Sequence, residues 1–137
     1  MNHIFVDYEN TRTIDASVLT LERTTFTILL GPQNTKLDIT VVEQLIVRAG
    51  SVEIVRLEKV GKNAVDFALA YYLGRKVAGD SGAYFHIVSK DRDYEPLVEH
   101  LKARHVHILQ HKDFVTVADA IKPKAKTAPA SGSKATT

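Results

Sequence analysis

The chain contains no cysteine. Disulfides, zinc–thiolate centres and cysteine nucleophiles are excluded with it. No apolar run approaches the length of a membrane span. Met1 leads straight into a strand-like segment, so no signal or transit segment is expected. Glycine-rich phosphate cradles are missing too. No G-x-G-x-x-G follows the first apolar run, which argues against dinucleotide binding. Val60-Gly61-Lys62-Asn63 fails as a P-loop, because Arg56 occupies the first glycine position and Asn63 the Ser/Thr position. A phosphoaspartate receiver needs an Asp closing its third strand, and Leu57-Glu58-Lys59 supplies none. No Ser/His/Asp set with a nucleophile elbow is present. The lack of cysteine and of export signals is compatible with a cytoplasmic location, which is the expectation.

What the chain does have is an ordinary globular composition. Its 137 residues are 45% apolar and 25% charged, enough for one domain with one core. The net charge of +2 conceals an asymmetry. Lys122, Lys124, Lys126 and Lys134 lie beyond Ile121 and no acidic residue does, which leaves 14 basic against 16 acidic residues in the body. A slightly acidic body with a basic tail is unlike a simple nucleic-acid-binding module. It suits a catalytic body that gathers carboxylates in one place. From residue 122 to 137 the chain is Lys, Pro, Ala, Ser, Thr and Gly with no apolar pattern, and it is read as a disordered basic tail. Such a tail either helps to capture phosphates or merely solubilises the chain end.

Residues 1–121 alternate between two kinds of segment. Short apolar, β-branched or aromatic runs at 3–6, 25–30, 52–57, 83–88 and 106–109 read as strands buried on both faces. Helical spacing runs through 16–21, 40–48, 64–77, 94–104 and 114–121. Val41, Val42, Leu45 and Ile46 share one helical face, and Val65, Leu69, Tyr72 and Lys76 form one row beside Ala68 and Leu73. Gly31, Gly50 and Gly79 fall near element ends, where a left-handed residue is useful. The alternation predicts an α/β fold: a five-stranded parallel sheet of order 3-2-1-4-5, sandwiched by helices. Ligands of such sheets bind outside the carboxyl ends of the strands.

Carboxylates fall at that edge. The first strand ends at Asp7, followed by Tyr8-Glu9-Asn10. The fourth ends at Ser89-Lys90-Asp91-Arg92-Asp93. Lys62-Asn63-Ala64-Val65-Asp66 opens the long third-strand-to-fourth-strand helix at the same rim. Each acid has a purely local alternative: Asp66 as the first-turn acid after an Asn63 cap, Asp93 as the cap of the next helix, Asp91 as the closer of a turn. Asp7 is harder to explain locally, since an Asp ending a buried apolar strand is costly unless paired. Grouped carboxylates also need a positive neutraliser. A hard divalent cation, magnesium or manganese, fits an oxygen-only donor set. Such a cation polarises a phosphoryl oxygen and lowers the pKa of bound water. His105, His107 and His111 could in principle bind a metal, but packed or solvated histidines are the simpler reading.

Three segments, in order, resemble a known family. Phe5-Val6-Asp7-Tyr8-Glu9-Asn10 resembles the "D-x-E-N" opening of PIN-like and NYN domains. Gly61-Lys62-Asn63-Ala64-Val65-Asp66-Phe67 resembles their middle "N-x-x-D" helix. Ser89-Lys90-Asp91-Arg92-Asp93-Tyr94 with Pro96-Leu97 resembles their late "S-x-D-x-D-[FY]" segment. The resemblance covers residues 1–121 and implies a PIN-like nuclease domain there, with residues 122–137 as its tail. It implies magnesium- or manganese-dependent cleavage of RNA, with Asp7, Asp66, Asp91 and Asp93 as metal-binding catalytic carboxylates. Products would carry a 5′-phosphate and a 3′-hydroxyl. Single-stranded or looped RNA is the expected partner. Asn10, Arg12, Lys62, Asn63, Ser89, Lys90 and Arg92 are candidate substrate contacts, with Ser89 also a candidate hydrogen-bond donor to the acidic cluster. Tyr8 and Tyr94 are candidate stacking groups. Related domains often dimerise, so a homodimer is one expected assembly. The rival readings are a non-catalytic RNA-binding or assembly module, a phosphatase of the same metal chemistry, and a nuclease acting on single-stranded or flap DNA.

Overall fold

The computed structural model describes residues 1–121. The basic tail read from the sequence lies outside the described residues. Five strands are present: β1 (Asn2–Asp7), β2 (Thr24–Leu30), β3 (Val52–Arg56), β4 (Tyr84–Val88) and β5 (His107–His111). They pair in parallel in the order β3-β2-β1-β4-β5. The helices are α1 (Tyr8–Thr11), α2 (Ile39–Val47), α3 (Ala64–Gly79), α4 (Glu95–Ala103) and α5 (Phe114–Ile121). This is the expected helix-flanked parallel sheet, with the expected strand order.

Strand alternation divides the core between the two faces of the sheet. Ile4, Val6, Phe26, Ile28 and Val88 pack with Val41 and Leu45 of α2 and Phe114 and Val117 of α5. Phe5, Leu29, Phe85 and Ile87 pack on the other face with Val65, Leu69 and Leu73 of α3 and Val98 of α4. Asp7 continues the His3–Phe5 alternation, so its side chain emerges on the α3 face at the carboxyl end of the central strand. It pairs there with Leu29 of β2.

Several local expectations are corrected. Only the three inner strands are buried on both faces. The edge strands β3 and β5 are half open, with Glu53, Ile54, His107 and Leu109 exposed, because each has a neighbour on one side only. On α2 only Val41 and Leu45 are buried, while Val42 is half-buried and Ile46 is exposed, since a nine-residue helix lays one narrow stripe on the sheet. Residues 16–21 make no α-helix but a 3-10 turn at Val18–Thr20. The helix expected from Tyr94 begins instead as a 3-10 turn at Arg92–Tyr94, and α4 proper starts at Glu95 with Pro96 in its first turn. Left-handed backbone falls not at Gly31, Gly50 or Gly79 but at Arg12, Arg23, Asn63 and His105. Asn63 is the one of these four with the short polar side chain that tolerates that region best.

Candidate active site

Asp7, Asp66 and Asp91 come together from three separate elements. Each offers a carboxylate oxygen, and the three oxygens lie within 4.8 Å of one another. The strand register explains two of them. β1 and β4 are adjacent, with Val6 opposite Val88, so the chain leaves both strands at the same rim. α3 then lays its first turn, with Asp66, against that rim from one face.

Asp7 is 3% exposed and almost completely supplied with donors. The Ser89 hydroxyl donates to its Oδ2 at 2.9 Å and the Tyr94 hydroxyl at 3.2 Å, while the Asn10 amide donates to Oδ1 at 3.3 Å. The last bond makes Asp7 the N-cap of α1. Tyr94 also donates to Asp66 Oδ1 at 3.2 Å, so one phenol is shared between two carboxylates. Ser89 in turn accepts from the Asp91 amide at 3.0 Å. Asp91 Oδ1 accepts from the Asp93 amide at 2.9 Å and thereby caps the 3-10 turn. Gln110 Nε2 donates to the carbonyls of Ser89 and Asp91, pinning this loop to β5. Asn10 Oδ1 accepts from the Lys90 amide at 2.8 Å and ties the two rim loops to each other.

Burial is the main reason the Asp7 carboxyl is pushed up from its ordinary value. Hydrogen bonds from Ser89, Tyr94 and Asn10 hold it back, and the charge of Glu9 adds to the rise. Asp66 is raised as well, first by burial, then by the charge of Asp91, with Asp7 and Asp93 contributing less and the Tyr94 bond opposing. Burial and the two carboxylates push the Tyr94 phenol far upward, so it remains a donor at any working pH. Among the described residues no lysine or arginine pairs with the three acids: Arg92 pairs with Glu95, and the remaining contact of this kind is His3 Nε2 to Asp80. An oxygen-only donor set, crowded and without a protein counter-charge, fits a hard divalent cation.

The remaining candidates are distributed unevenly. Asp93 is exposed and stands outside the close cluster, within reach of Asp66 as a charge only. Ser89 is 1% exposed and sits behind the carboxylates rather than in front of them. Lys62, Asn63, Lys90 and Arg92 are exposed around the rim, and Arg92 is 3.3 Å from Glu95. Arg12 lines a separate cleft with Glu9, Asn34 and Lys36. Tyr8 and Tyr94 are not stacking groups. Both are buried, and the Tyr94 hydroxyl is committed to bridging Asp7 and Asp66. Gln110 was not singled out from the sequence, and its signal is faint: one polar residue in the last strand, beside two histidines.

Asp66 separates a metal site from a mere helix acid by experiment. Repulsion from the neighbouring carboxylates costs on the order of 1 kcal/mol per pair at a partly screened rim. The helix-dipole benefit of a first-turn acid is about 0.3–1 kcal/mol and acts once. Asp66→Asn should therefore melt about 3–6 °C higher than wild type in EDTA. Millimolar manganese should raise the wild-type Tm and move the variant less, because a ligand of the native state stabilises by mass action. A variant that melts lower in EDTA, with no manganese shift in wild type, would reduce Asp66 to a helix acid.

Compared with protein-family models, residues 1–111 match the one described as a PIN domain. Comparison with curated proteins and with solved structures finds no match.

Proposed function

The chain belongs to the PIN domain family, whose members are in general metal-dependent nucleases, and on that premise we propose that it is a ribonuclease hydrolysing phosphodiester bonds of single-stranded or looped RNA. The observation that carries the reading is the convergence of Asp7, Asp66 and Asp91 without a protein cation between them. These three carboxylates would hold magnesium or manganese, and Asp93 would extend the site at its exposed margin. The bound cation would supply charge stabilisation at the phosphoryl group and activation of water.

The chain's own residues do the positioning. Tyr94 and Ser89 donate to Asp7 and fix the direction in which its free lone pairs point. The Asp91 cap and the Gln110 clamp hold the rim loop rigid, so the third carboxylate arrives already placed. Lys62, Asn63, Lys90 and Arg92 stand exposed at the margin, where they would contact phosphate or sugar oxygens. No helix among the described residues is long and apolar enough to cross a membrane.

The test is incubation with mixed end-labelled RNAs and DNAs in manganese, magnesium or EDTA, followed by mapping of the product ends. RNA fragments with 5′-phosphate and 3′-hydroxyl ends, formed only with metal, are the expected result. Cleavage of single-stranded DNA alone would transfer the assignment to that substrate. Binding without cleavage in any metal would leave the non-catalytic module.

A further inference from the structure

Two grooves adjoin along α4, beside the carboxylate cluster, and they differ in sign. One, of about 590 Å³, is lined by Asp66, Phe67, Asp93, Glu95, Pro96 and Glu99, with Arg92 as its lone cation. The other, of about 510 Å³, is lined by Lys90, Lys102 and Lys112 beside Ser89 and Gln110. Arg92, Glu95 and Glu99 border both. Both volumes lie in the range that holds small ligands.

Phe67 is the exposed aromatic that lines the first groove. It follows Asp66 on α3, lies off the buried Val65–Leu69–Leu73 stripe and is 72% exposed. Leaving a phenyl ring in water forgoes the apolar burial that stabilises the fold elsewhere. The ring faces a groove whose other walls are mostly carboxylates. A phosphate would be repelled there. A nucleobase would not, because every base has a π-face to stack and carboxylates accept hydrogen bonds from exocyclic amino groups. The phosphates have a better place in the lysine-lined groove.

Resting on the ribonuclease reading above, we propose that Phe67 is the stacking platform for a nucleobase next to the phosphate at the carboxylate cluster, while the strand's phosphates follow Lys90, Lys102 and Lys112. The acidic walls favour a base bearing an exocyclic amine, so adenine, cytosine or guanine binds there in preference to uracil.

The chain has no tryptophan, so Phe67→Trp creates a unique fluorophore. Its emission is followed in EDTA at low salt, where nothing is cleaved, with short oligoadenylate, oligocytidylate, oligouridylate and an abasic ribose-phosphate oligomer. Anisotropy of the same labelled oligomers reports binding independently. The expected result is saturable quenching by oligoadenylate and oligocytidylate, less by oligouridylate and none by the abasic strand. Phe67→Leu should bind oligoadenylate about tenfold to a hundredfold more weakly, the loss typical of removing one base–aromatic stack. Lys102→Gln with Lys112→Gln should weaken every oligomer and flatten the salt dependence of binding. Rising anisotropy without quenching, or a Phe67→Leu protein of unchanged affinity, overturns the stacking role and leaves the ribonuclease reading standing. No anisotropy change with any oligomer in EDTA overturns the stacking role, and no cleavage of the same oligomers in manganese or magnesium overturns the ribonuclease reading as well.

Discussion

Asp91→Asn is expected to fold like wild type and to cleave at least about a hundredfold more slowly, the scale of losing one charged transition-state contact. The fold should survive because the carbonyl oxygen of Asn accepts the Asp93 amide as the carboxylate does, and Asn caps helices as well as Asp. Gln110 grips the backbone carbonyl of residue 91, which the substitution leaves alone. The activity should vanish because an amide is a poor ligand for a hard cation, and one of three clustered oxygen donors is then lost. Asp93→Asn, at an exposed position outside the cluster, should cost much less. Single-turnover cleavage in manganese, with circular dichroism as the check on folding, distinguishes the two. An Asp91→Asn enzyme at wild-type rate would take Asp91 out of the metal site, and equal large losses at both positions would bring Asp93 into it on the same footing.

The second large effect concerns acid stability and lies on the other face of the sheet. His86 on β4 is 3% exposed and bonds on both sides: Nδ1 is 2.9 Å from His111 Nε2, and Nε2 is 2.9 Å from Asn2 Oδ1. With both rings neutral, His86 donates to Asn2 and accepts from His111. Adding a proton to His86 puts a donor on Nδ1, which His111 Nε2 can accept only by shifting its own proton to the Nδ1 that faces Thr116. Burial first, and then the neighbouring His111 and His3, lower His86 to about 4 from an ordinary 6.5. His111 is lowered too, mainly by burial, with Asp113 opposing. The unfolded chain therefore takes up the proton more readily than the folded one. The stability His86 confers is present above pH 6.5 and is lost as pH falls towards 4. The full loss is about 3 kcal/mol.

Asp7 and Asp66, with raised values, act in the opposite sense and gain native stability as they protonate. The wild-type acid limb is the difference of the two effects, so the comparison needs a variant. His86→Asn should be less stable than wild type at pH 7.5, and the gap should close steadily by pH 4.5 in urea melts. Parallel stability–pH curves for the two proteins would show that His86 is not the group being charged.

The sheet was legible because short apolar runs of the right residue types alternate with helical spacing, and the strand order expected of that alternation sets β1 beside β4, so the ends carrying Asp7 and Asp91 meet. The close cluster of Asp7, Asp66 and Asp91 followed from that order. What escaped was anything that depends on the side chain's third dimension. Tyr94 sits in the late acidic segment like an accessible aromatic, yet it turns inward and bridges two carboxylates. Phe67 carried a usable signal, since helical periodicity puts it off the Val65–Leu69–Leu73 stripe. The pairing of His86 with His111 needs the β4–β5 register, in which Val88 stands opposite His111. No local pattern announces that. The four left-handed residues were likewise invisible, because none of them is glycine and their backbone is set by the loops around them.

The strand order also sets a timetable. Asp7 and Ser89 are bonded across 82 positions of chain, and β1, at the centre of the sheet, finds one of its two neighbours only when β4 exists. A chain emerging from its N-terminus carries Asp7 and Asp66 early, and with β2 and β3 it can begin a sheet. The third carboxylate comes only with the loop beyond β4, and the Gln110 that steadies this loop comes later still. Pairing distant strands is slow, because ordering the intervening chain precedes any reward from the contact. An incomplete chain, or one whose central seam has not closed, therefore holds two carboxylates and no assembled centre. Completion of the carboxylate cluster is thus tied by topology to completion of the sheet.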